Sequence, residues 1–311
     1  MAKVILVTGA TGKQGGAVIN ALLNLKNEDF AIVAVTRDAL KPGARKLKAA
    51  HPQIKLAQGD LDDVPALFRE AQKVAEKPIW GVYSVQVSMG KGVTAEGEIR
   101  QGKALIDESI KAGVHHFVYS SVERGGDEAS WDNPTPVPHF RTKHTIEHHL
   151  RDATAPGTPG EKMGWTILRP VAFMENLVPG FQTKVFLAAL RNRLGTKRLQ
   201  WVATADIGVF AAKAFADPAH WDRRAVGLAG DELSFGEMSS AFETATGQPA
   251  PVTFWFLGSA LTFLVRELGL MIAWFATDGY RADIGARRAD HSGLLTLGQW
   301  LLQESAFELA D

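Results

Sequence analysis

Apolar and polar positions alternate along the first half of the chain with two different periods. Short runs rich in β-branched and aromatic residues predict strands at Val4–Val7, Ala31–Thr36, Ile54–Ala57, Trp80–Val85, His116–Ser120 and Trp165–Leu168. Longer helical patterns lie between them, at Gln14–Leu25, Val64–Ala75, Thr94–Ala112 and Val137–Arg151. Strands that alternate with helices are typical of βαβ units, so we predict an α/β fold with a doubly wound parallel sheet.

The alternation becomes irregular after Pro170, and a closing helix is predicted at Leu294–Gln303. We therefore predict a sheet domain over residues 1–170, to which a segment at about 200–216 returns, and a smaller mixed C-terminal lobe over residues 171–311.

Aromatic and other bulky apolar residues are concentrated in the C-terminal lobe. We interpret them as core, with a ligand cleft as the alternative: Phe173, Met174, Phe181, Trp201, Phe254, Trp255, Phe256, Trp274 and Phe275. The longest apolar segment, Val252–Ala276, is interrupted by Arg266 and Glu267, so we expect a buried or lid-forming helix and no membrane span. Contact with a membrane surface is the alternative for this segment.

Composition narrows the function further. The 311 residues include 34 basic and 34 acidic side chains and no cysteine. The absence of cysteine excludes disulfides and thiolate catalysis, and the zero net charge argues against direct binding to nucleic acid. The apolar run Val4–Val7 is too short for a secretion signal, so we expect a cytoplasmic protein, with exchange into the nucleus left open.

A glycine-rich loop follows the first predicted strand directly. Its sequence runs from Gly9 through Gly12 to Gly15 and Gly16, before a predicted helix. In this context Gly9 permits the tight turn, Gly12 lets backbone amides approach a pyrophosphate, and Gly15 or Gly16 lets the helix pack close to the sheet. The loop therefore predicts a Rossmann-type site for a nicotinamide dinucleotide, with the phosphates at the helix N-terminus.

The end of the second predicted strand indicates which dinucleotide. Arg37 stands 22 residues after Gly15, near the place where NAD-specific domains carry an acid for the ribose hydroxyls. An arginine there favours a 2′-phosphate and hence NADP(H), and Lys41 agrees with this, whereas Asp38 could still face a ribose. Asp60, after the third strand, is either an adenine-side group or the cap of the next helix.

With these features the chain resembles the NmrA-like family of atypical short-chain dehydrogenases. Further matching stretches are Pro138–Lys143, Leu168–Pro170 with Phe173–Leu177, Asp206–Gly208 and Leu295–Leu301. The resemblance implies an NADP-preferring Rossmann domain with a small C-terminal lobe. It also implies two kinds of relative: proteins that sense the dinucleotide and bind a protein partner, and proteins that reduce substrates.

The resemblance also implies cofactor contacts at particular positions. These are Gly9, Thr11, Gly12, Gln14, Gly15, Arg37, Lys41, Asp60 with its neighbour Leu61, Lys143 and Asn176. Val85 and Gln86, at the end of the fourth predicted strand, are expected beside the adenosine or nicotinamide half.

The helix that carries Lys143 lacks the catalytic tyrosine of the wider superfamily. There, Tyr and Lys stand four residues apart on one helix face, and the ammonium lowers the pKa of the phenol. Here His139 occupies the tyrosine position, and Ser121, with Ser120, corresponds to the superfamily serine. We take His139, Lys143 and Ser121 as catalytic candidates, and note that Lys143 also suits a purely cofactor-binding role.

A second pattern, His144–His148, fits the H-x-x-E-H arrangement of inverted zinc peptidases. Because the same helix already presents Lys143 to the predicted dinucleotide site, we predict no metal. We expect a solvated helix face on which Glu147 pairs with Lys143.

Two functional hypotheses follow. The first is a sensor of NADPH and NADP that acts through a regulatory protein partner, and it rests on the missing tyrosine beside an intact cofactor loop. The alternative is an NADPH-dependent oxidoreductase that reduces a hydrophobic carbonyl, quinone or imine with His139 or Lys143.

Overall fold

A computed structural model describes residues 2–26, 29–90 and 92–310. Seven strands form the main sheet in the order β3-β2-β1-β4-β5-β6-β9. Their bounds are β1 Lys3–Val7, β2 Phe30–Thr36, β3 Lys55–Gln58, β4 Gly81–Ser84, β5 His116–Ser120, β6 Gly164–Pro170 and β9 Arg224–Leu228. The first six are parallel, which confirms the predicted Rossmann-type, doubly wound α/β fold.

The strand order reverses beside β1, because β1 pairs with β2 on one side and with β4 on the other. In open parallel sheets ligands bind at such a switch point, outside the carboxyl ends of the strands. The glycine loop leaves β1 at this end of the sheet.

Within the described residues up to Ala216, helices lie between and after the strands of the main sheet. They are α1 Lys13–Leu23, α2 Pro42–Ala50, α3 Val64–Ala75, α4 Ala95–Lys111, α5 Ala129–Asp132, α6 Pro138–Ala153, α7 Phe181–Leu194 and α8 Thr204–Ala216. The apolar periodicity predicts α1, α3, α4 and α6 to within a few residues. It does not predict α2, because only Ala44 of that short helix is buried and no apolar stripe marks it.

The remaining elements include a small mixed sheet in the order β10-β8-β7. Its strands are β7 Ala172–Phe173, β8 Leu199–Val202 and β10 Asp231–Leu233, and a 3-10 turn covers Met174–Asn176. The later helices are α9 Pro218–Trp221, α10 Phe235–Thr246, α11 Trp255–Leu264, α12 Arg266–Thr277, α13 Ile284–Asp290 and α14 Leu297–Gln303. The sequence pattern predicts none of the three strands of this small sheet.

The chain forms two compact units. Unit 1 comprises the described residues up to Ser121, Thr142–Leu168 and Ile207–Val226. Unit 2 comprises Val122–Arg141, Arg169–Asp206 and the described residues from Gly227 onward. The chain thus passes repeatedly from one unit to the other, and helix α6 contributes to both.

Several bulky residues of the later part of the chain are not core. Trp201, Trp274 and Phe275 are buried, as expected, but Phe254, Trp255, Phe256 and Phe181 are exposed. Of the two interpretations of Val252–Ala276, a buried helix is therefore wrong for the first half, and a lid-forming helix stays a prediction. Among the described residues no single helix is long and apolar enough to span a membrane. Helices α11 and α12 have the length and apolar composition of a span only when taken together, and the angle between them is 114°.

Candidate functional site

The glycine loop joins β1 to α1 in a tight turn. Gly9 has a positive φ of 59°, and a Cβ there would lie 2.6 Å from Cγ1 of Val85. Gly12 is the N-cap of α1, where no side chain caps the backbone amides and the first turn carries no acid. Amides without a side-chain acceptor, at the positive end of a helix dipole, suit an anion such as a phosphate.

Close packing of α1 depends on one of the two adjacent glycines. A Cβ on Gly15 would lie 2.8 Å from Cα of Ala10 and would overlap the carbonyl of Gly9. A Cβ on Gly16 would meet nothing closer than the carbonyl oxygen of Ala10 at 3.8 Å. Of the two possibilities that the sequence leaves open, Gly15 is therefore the glycine that permits the packing.

The N-terminus of α2 lies against the glycine loop. A Cβ on Gly43 would be 3.6 Å from Cβ of Thr11, so Lys41, the N-cap of α2, is two residues from that contact. Arg37 follows β2, and its side chain is exposed. The contact of Gly43 with Thr11 brings the start of α2, and with it the backbone of Lys41, near the glycine turn.

Asp38 is occupied within its own turn. Its Oδ1 accepts the N–H of Leu40 at 2.8 Å, and its backbone is bonded to the hydroxyl of Thr36. This hydrogen bond orients the carboxylate within the turn, and its other oxygen keeps the capacity to accept a ribose hydroxyl, so the alternative for Asp38 stays a prediction.

Asp60 and Leu61 follow β3. Asp60 is exposed and accepts the N–H of Asp62 at 3.1 Å, while Leu61 is half-buried. The cap of α3 is Asp63, which accepts the N–H of Ala66 at 3.0 Å. The expectation that Asp60 caps the next helix is thus wrong by three residues, because the chain makes one more turn before α3 begins.

Val85 and Gln86 continue from β4 beside the glycine turn. The N–H of Val85 donates to Oγ1 of Thr8 at 2.8 Å, which holds the ends of β4 and β1 together. Gln86 is buried, and its Nε2 donates to Oγ of Ser84 at 2.9 Å. Its carbonyl oxygen Oε1 is buried and has no hydrogen-bond partner within the described ranges.

Gln14, on the first turn of α1, is anchored inside unit 1. Its Oε1 accepts hydrogen bonds from Tyr83 at 3.2 Å and from Ser120 at 2.6 Å. Burial raises the pKa of Tyr83 well above its ordinary value, so the phenol is a neutral donor. The side-chain carbonyl of Gln14 therefore ties α1 to β4 and β5.

Lys143 is held by a buried carboxylate that the sequence did not reveal. Its Nζ lies 3.1 Å from Oε1 of Glu98 in α4. Glu98 also accepts hydrogen bonds from Ser88 at 2.8 Å and from Thr142 at 2.6 Å. Because a buried carboxylate needs such partners, this network fixes the lysine on α6. The only available signal was an acid at a position of α4 where the helix period predicts an apolar residue.

The expected solvated face of α6 is wrong. Glu147 is fully buried, and Lys143 forms its ion pair with Glu98 instead of the expected pair with Glu147. The rings of His144 and His148 pack in a tilted arrangement at 4.2 Å between centroids, and Nδ1 of His148 faces the carbonyl of His144 at 2.9 Å. A search of the described residues finds no group of three or more metal-ligating side chains.

His139 lies in the first turn of α6, and its ring pairs with the carboxylate of Glu267 in unit 2. Its Nδ1 lies 2.7 Å from Oε1 of Glu267, and its backbone N–H donates to the same oxygen at 3.2 Å. The ring also packs edge-on against Phe140, at 4.6 Å between centroids. Sequence reasoning treated Glu267 only as an interruption of an apolar segment, although a lone acid in such a segment is itself a signal of a buried partner.

The two remaining candidates lie in different units. Ser121 is buried directly after β5, and its N–H donates to the carbonyl of Leu168 at 2.7 Å. Asn176 belongs to unit 2 and is exposed at the end of the 3-10 turn. The neighbouring Glu175 accepts the N–H of Thr204 at 2.8 Å, which orders this turn.

The comparisons with known proteins decide the family. The model of the NmrA-like family matches residues 1–291. The chain belongs to the NmrA-like family. This confirms the resemblance found in the sequence, and the match ends before α14.

Named NmrA-like relatives cover most of the chain. An NmrA-like family domain-containing oxidoreductase of Aspergillus flavus is 29% identical over 266 residues, which are 80% of this chain and 74% of the relative. The NAD(P)H azoreductase of Xenophilus azovorans is 28% identical over 257 residues, 79% of this chain and 75% of that protein.

A solved structure gives the same fold. An NADPH-dependent quinone oxidoreductase from Escherichia coli, crystallised with NADPH, superposes with a TM-score of 0.68 at 20% identity. The match covers 96% of this chain and 98% of that one.

Proposed function

We propose that this NmrA-like protein binds NADP(H) and uses it to reduce a hydrophobic acceptor with a C=O, C=N, N=N or quinone group. The observation that carries the proposal is the contact between Nδ1 of His139 and Glu267 at 2.7 Å. His139 occupies the position of the missing tyrosine and would act as the proton donor, and Glu267 is the carboxylate that orients its ring.

The described residues of unit 1 fit a dinucleotide phosphate group. The glycine at position 12 keeps the approach to α1 open, because a Cβ there would lie 3.2 Å from the carbonyl of Gly9. The amides of α1 carry no side-chain cap, which suits the phosphates, whereas the buried acceptor Oε1 of Gln86 suits a hydrogen-bond donor of the cofactor such as a ribose hydroxyl. Arg37 and Lys41 favour the 2′-phosphorylated form.

Lys143 would hold the cofactor rather than exchange protons. Its ammonium is fixed by Glu98, which is itself held by Ser88 and Thr142, so the side chain is preorganised to donate to ribose hydroxyls. Asn176 and Leu61 remain proposed cofactor contacts, and Ser121 remains a proposed catalytic residue, because of the positions they occupy in the family's motifs.

His139 would deliver the proton. With Nδ1–H donated to Glu267, Nε2 is the nitrogen that exchanges a proton with the acceptor. NADPH, when bound, would supply the hydride, and His139 would add the proton that completes a two-electron reduction. His139 and Lys143 stand one turn apart on α6, so both project from the same side of that helix.

No tyrosine offers an alternative proton donor. Tyr83, Tyr119 and Tyr280 are all buried, and burial raises the pKa of Tyr83 and of Tyr280 well above the ordinary value. This is also the observation that favours the second candidate, a dinucleotide sensor that acts through a protein partner and performs no reduction.

The test follows the absorbance of NADPH with a panel of azo dyes, quinones and hydrophobic aldehydes. We expect His139→Phe to lower kcat by about 10²–10⁴, the usual contribution of a general acid, with NADPH affinity unchanged. Glu267→Gln should give an intermediate loss, because the amide still orients the ring but carries no charge. Tight NADPH binding without turnover of any acceptor would favour the sensor instead.

Cofactor choice is tested separately. Removing a charge-assisted contact costs about tenfold to a hundredfold in affinity, so Arg37→Ala and Lys41→Ala should each weaken NADPH by that amount and leave NADH nearly unchanged. Lys46→Ala, an exposed cation further along α2, is the matched control. Equal weakening of NADPH and NADH would contradict the assignment of the 2′-phosphate.

A further inference from the structure

Unit 2 exposes a group of large apolar side chains on and around α11. We call it the α11 surface, and it consists of Phe254, Trp255, Phe256, Phe263, Leu264 and Val265. Trp255 is 66% exposed and Phe263 is 86% exposed. Single exposed apolar residues are ordinary on a protein, but six within a span of twelve residues form a patch of the kind that marks an interaction site.

The side chains of this patch support one another. Phe254 stacks on Phe256 with 5.6 Å between ring centroids, and Trp255 packs edge-on against Phe256 at 6.2 Å. The amide of Asn192 in α7 donates to the carbonyl of Trp255 at 2.7 Å, which fixes the start of α11 on α7. The exposed aromatic rings are therefore presented by a defined backbone.

The inner face of α11 packs closely against α7 at Gly258. A Cβ on Gly258 would lie 2.9 Å from Cα of Ala189 in α7. This close approach occupies the inner face of α11, so the aromatic residues at its ends and on its outer face have no place against α7.

Basic side chains flank the patch, and acidic side chains are missing from both contributing segments. Arg191 lines the same depression as Phe254 and Trp255, and Arg193 and Arg266 line another with Phe263. Segment 178–198 contains no Asp or Glu, and the one acid directly beside segment 249–266 is Glu267, which is paired with His139. Among the described residues none of these three arginines forms an ion pair with a carboxylate.

The shape of the helix pair indicates how the patch would meet a membrane. Helices α11 and α12 together have the length and composition of a span, but the bend of 114° prevents them from crossing as one straight helix. A helix with Trp and Phe on its outer face and arginines beside it is suited to lie at the level of the lipid headgroups.

We infer that the α11 surface is a docking site for an anionic membrane surface, with the aromatic rings inserted at the headgroup level and Arg191, Arg193 and Arg266 against the lipid phosphates. A second copy of this chain is a poorer occupant. A two-fold dimer would place the same patch on both sides and bring the unpaired arginines of one copy against those of the other.

The test is sedimentation of the full chain with vesicles of phosphatidylcholine alone and of phosphatidylcholine mixed with phosphatidylserine. We expect binding to the mixed vesicles, weakened by salt, and little binding to phosphatidylcholine. Each arginine near an anionic surface contributes about fivefold, so the Arg191→Gln, Arg193→Gln double variant should lose about thirtyfold in binding to the mixed vesicles.

The aromatic contribution is tested with a polar double variant, Trp255→Ser with Phe263→Ser. It should lose binding to the mixed vesicles while keeping its melting temperature, because both side chains are exposed in the folded chain. Leu302→Ser is the matched control, since Leu302 is 53% exposed on α14 and lies outside the patch.

Two results would overturn the inference. One is the absence of any difference between the two vesicle types for the unchanged chain. The other is a dimer in light scattering that the Trp255→Ser, Phe263→Ser variant abolishes, because the patch would then be covered by a second copy. Neither result bears on NADPH binding or turnover, which are measured without lipid.

Discussion

Gly15 and Gly16, at the start of α1, show how much a single Cβ decides. They are neighbours in the sequence, and both belong to the glycine-rich pattern. Only Gly15 faces backbone atoms that cannot move aside, namely the carbonyl of Gly9 and Cα of Ala10. At this scale the identity of a residue matters through the rigid atoms it meets.

We expect Gly15→Ala to lower the free energy of unfolding by about 1–3 kcal/mol, the usual cost of overpacking, and to weaken NADPH binding because the loop must shift. Gly16→Ala should be neutral or stabilising by up to about 1 kcal/mol, because alanine is the better helix former. Urea unfolding and an NADPH titration of both variants check this. Equal losses in the two variants would contradict the assignment of the close approach to Gly15.

At the scale of elements, the position of α1 depends on a second helix. Gly208, within the family-like stretch Asp206–Gly208, lies in α8 with its Cα directed at the backbone of α1. A Cβ there would lie 2.6 Å from the carbonyl carbon of Ala17 and 3.0 Å from the nitrogen of Val18. A glycine in that motif is thus required by helix packing inside unit 1.

Gly208→Ala should separate α8 from α1 and lower the free energy of unfolding by about 1–3 kcal/mol. Gly298→Ala, on α14, is the control, because nothing lies within 4 Å of the added Cβ. There we expect no loss and a gain of up to about 1 kcal/mol from helix propensity. Thermal and urea unfolding of both variants distinguish packing from propensity, and a stable Gly208→Ala protein would rule out the packing argument.

At the scale of the whole molecule, two buried ionisable groups oppose each other in the pH dependence of stability. In unit 1, burial lowers the pKa of His116 from 6.5 to about 4, although Asp222 acts in the other direction. In unit 2, burial raises the pKa of Asp206 from 3.8 to about 7, against the hydrogen bond from the N–H of Leu295.

The surroundings of each group explain the direction. Asp206 faces Glu175 and Glu304, which also raise its pKa, and Arg288, which lowers it. His291 Nε2 lies 3.7 Å from Oδ1 of Asp206, too far for a hydrogen bond, and burial is the main cause of the raised pKa of Asp206. His116 is buried in β5, with Nε2 2.9 Å from the hydroxyl of Thr166.

Asp206→Asn should change the pH dependence of stability. Between pH 3.8 and about 7 the folded chain keeps the proton on Asp206 while the unfolded chain has lost it, so the free energy of unfolding falls as the pH rises. Asparagine cannot ionise, so the free energy of unfolding of the variant should rise relative to that of the unchanged protein across this window. The difference should reach up to about 4 kcal/mol, at about 1.4 kcal/mol per pH unit. Urea unfolding at several pH values measures the difference.

His116→Asn is the counterpart with the opposite sign. Between pH 6.5 and about 4 His116 binds a proton in the unfolded chain but not in the folded chain, so the free energy of unfolding falls as the pH falls. Toward acid pH the free energy of unfolding of this variant should exceed that of the unchanged protein by up to about 3 kcal/mol. A pH-independent difference in either variant would show that its group has the same pKa in the folded and unfolded chain.

The periodicity of the sequence determined the α/β fold, the first six strands and the glycine loop at the end of β1. These features are local, because a strand, a helix or a tight turn is encoded by neighbouring residues. The spacing of His139 and Lys143 on one helix face was determined in the same way.

Only the tertiary structure decided which carboxylates serve those two residues. Glu98 is 45 positions from Lys143, and Glu267 is 128 positions from His139. It also decided that Gly15 rather than Gly16 meets the loop, and that the aromatic residues of α11 lie at the surface. Each of these depends on how distant elements pack, and no pattern of neighbouring residues carries that information.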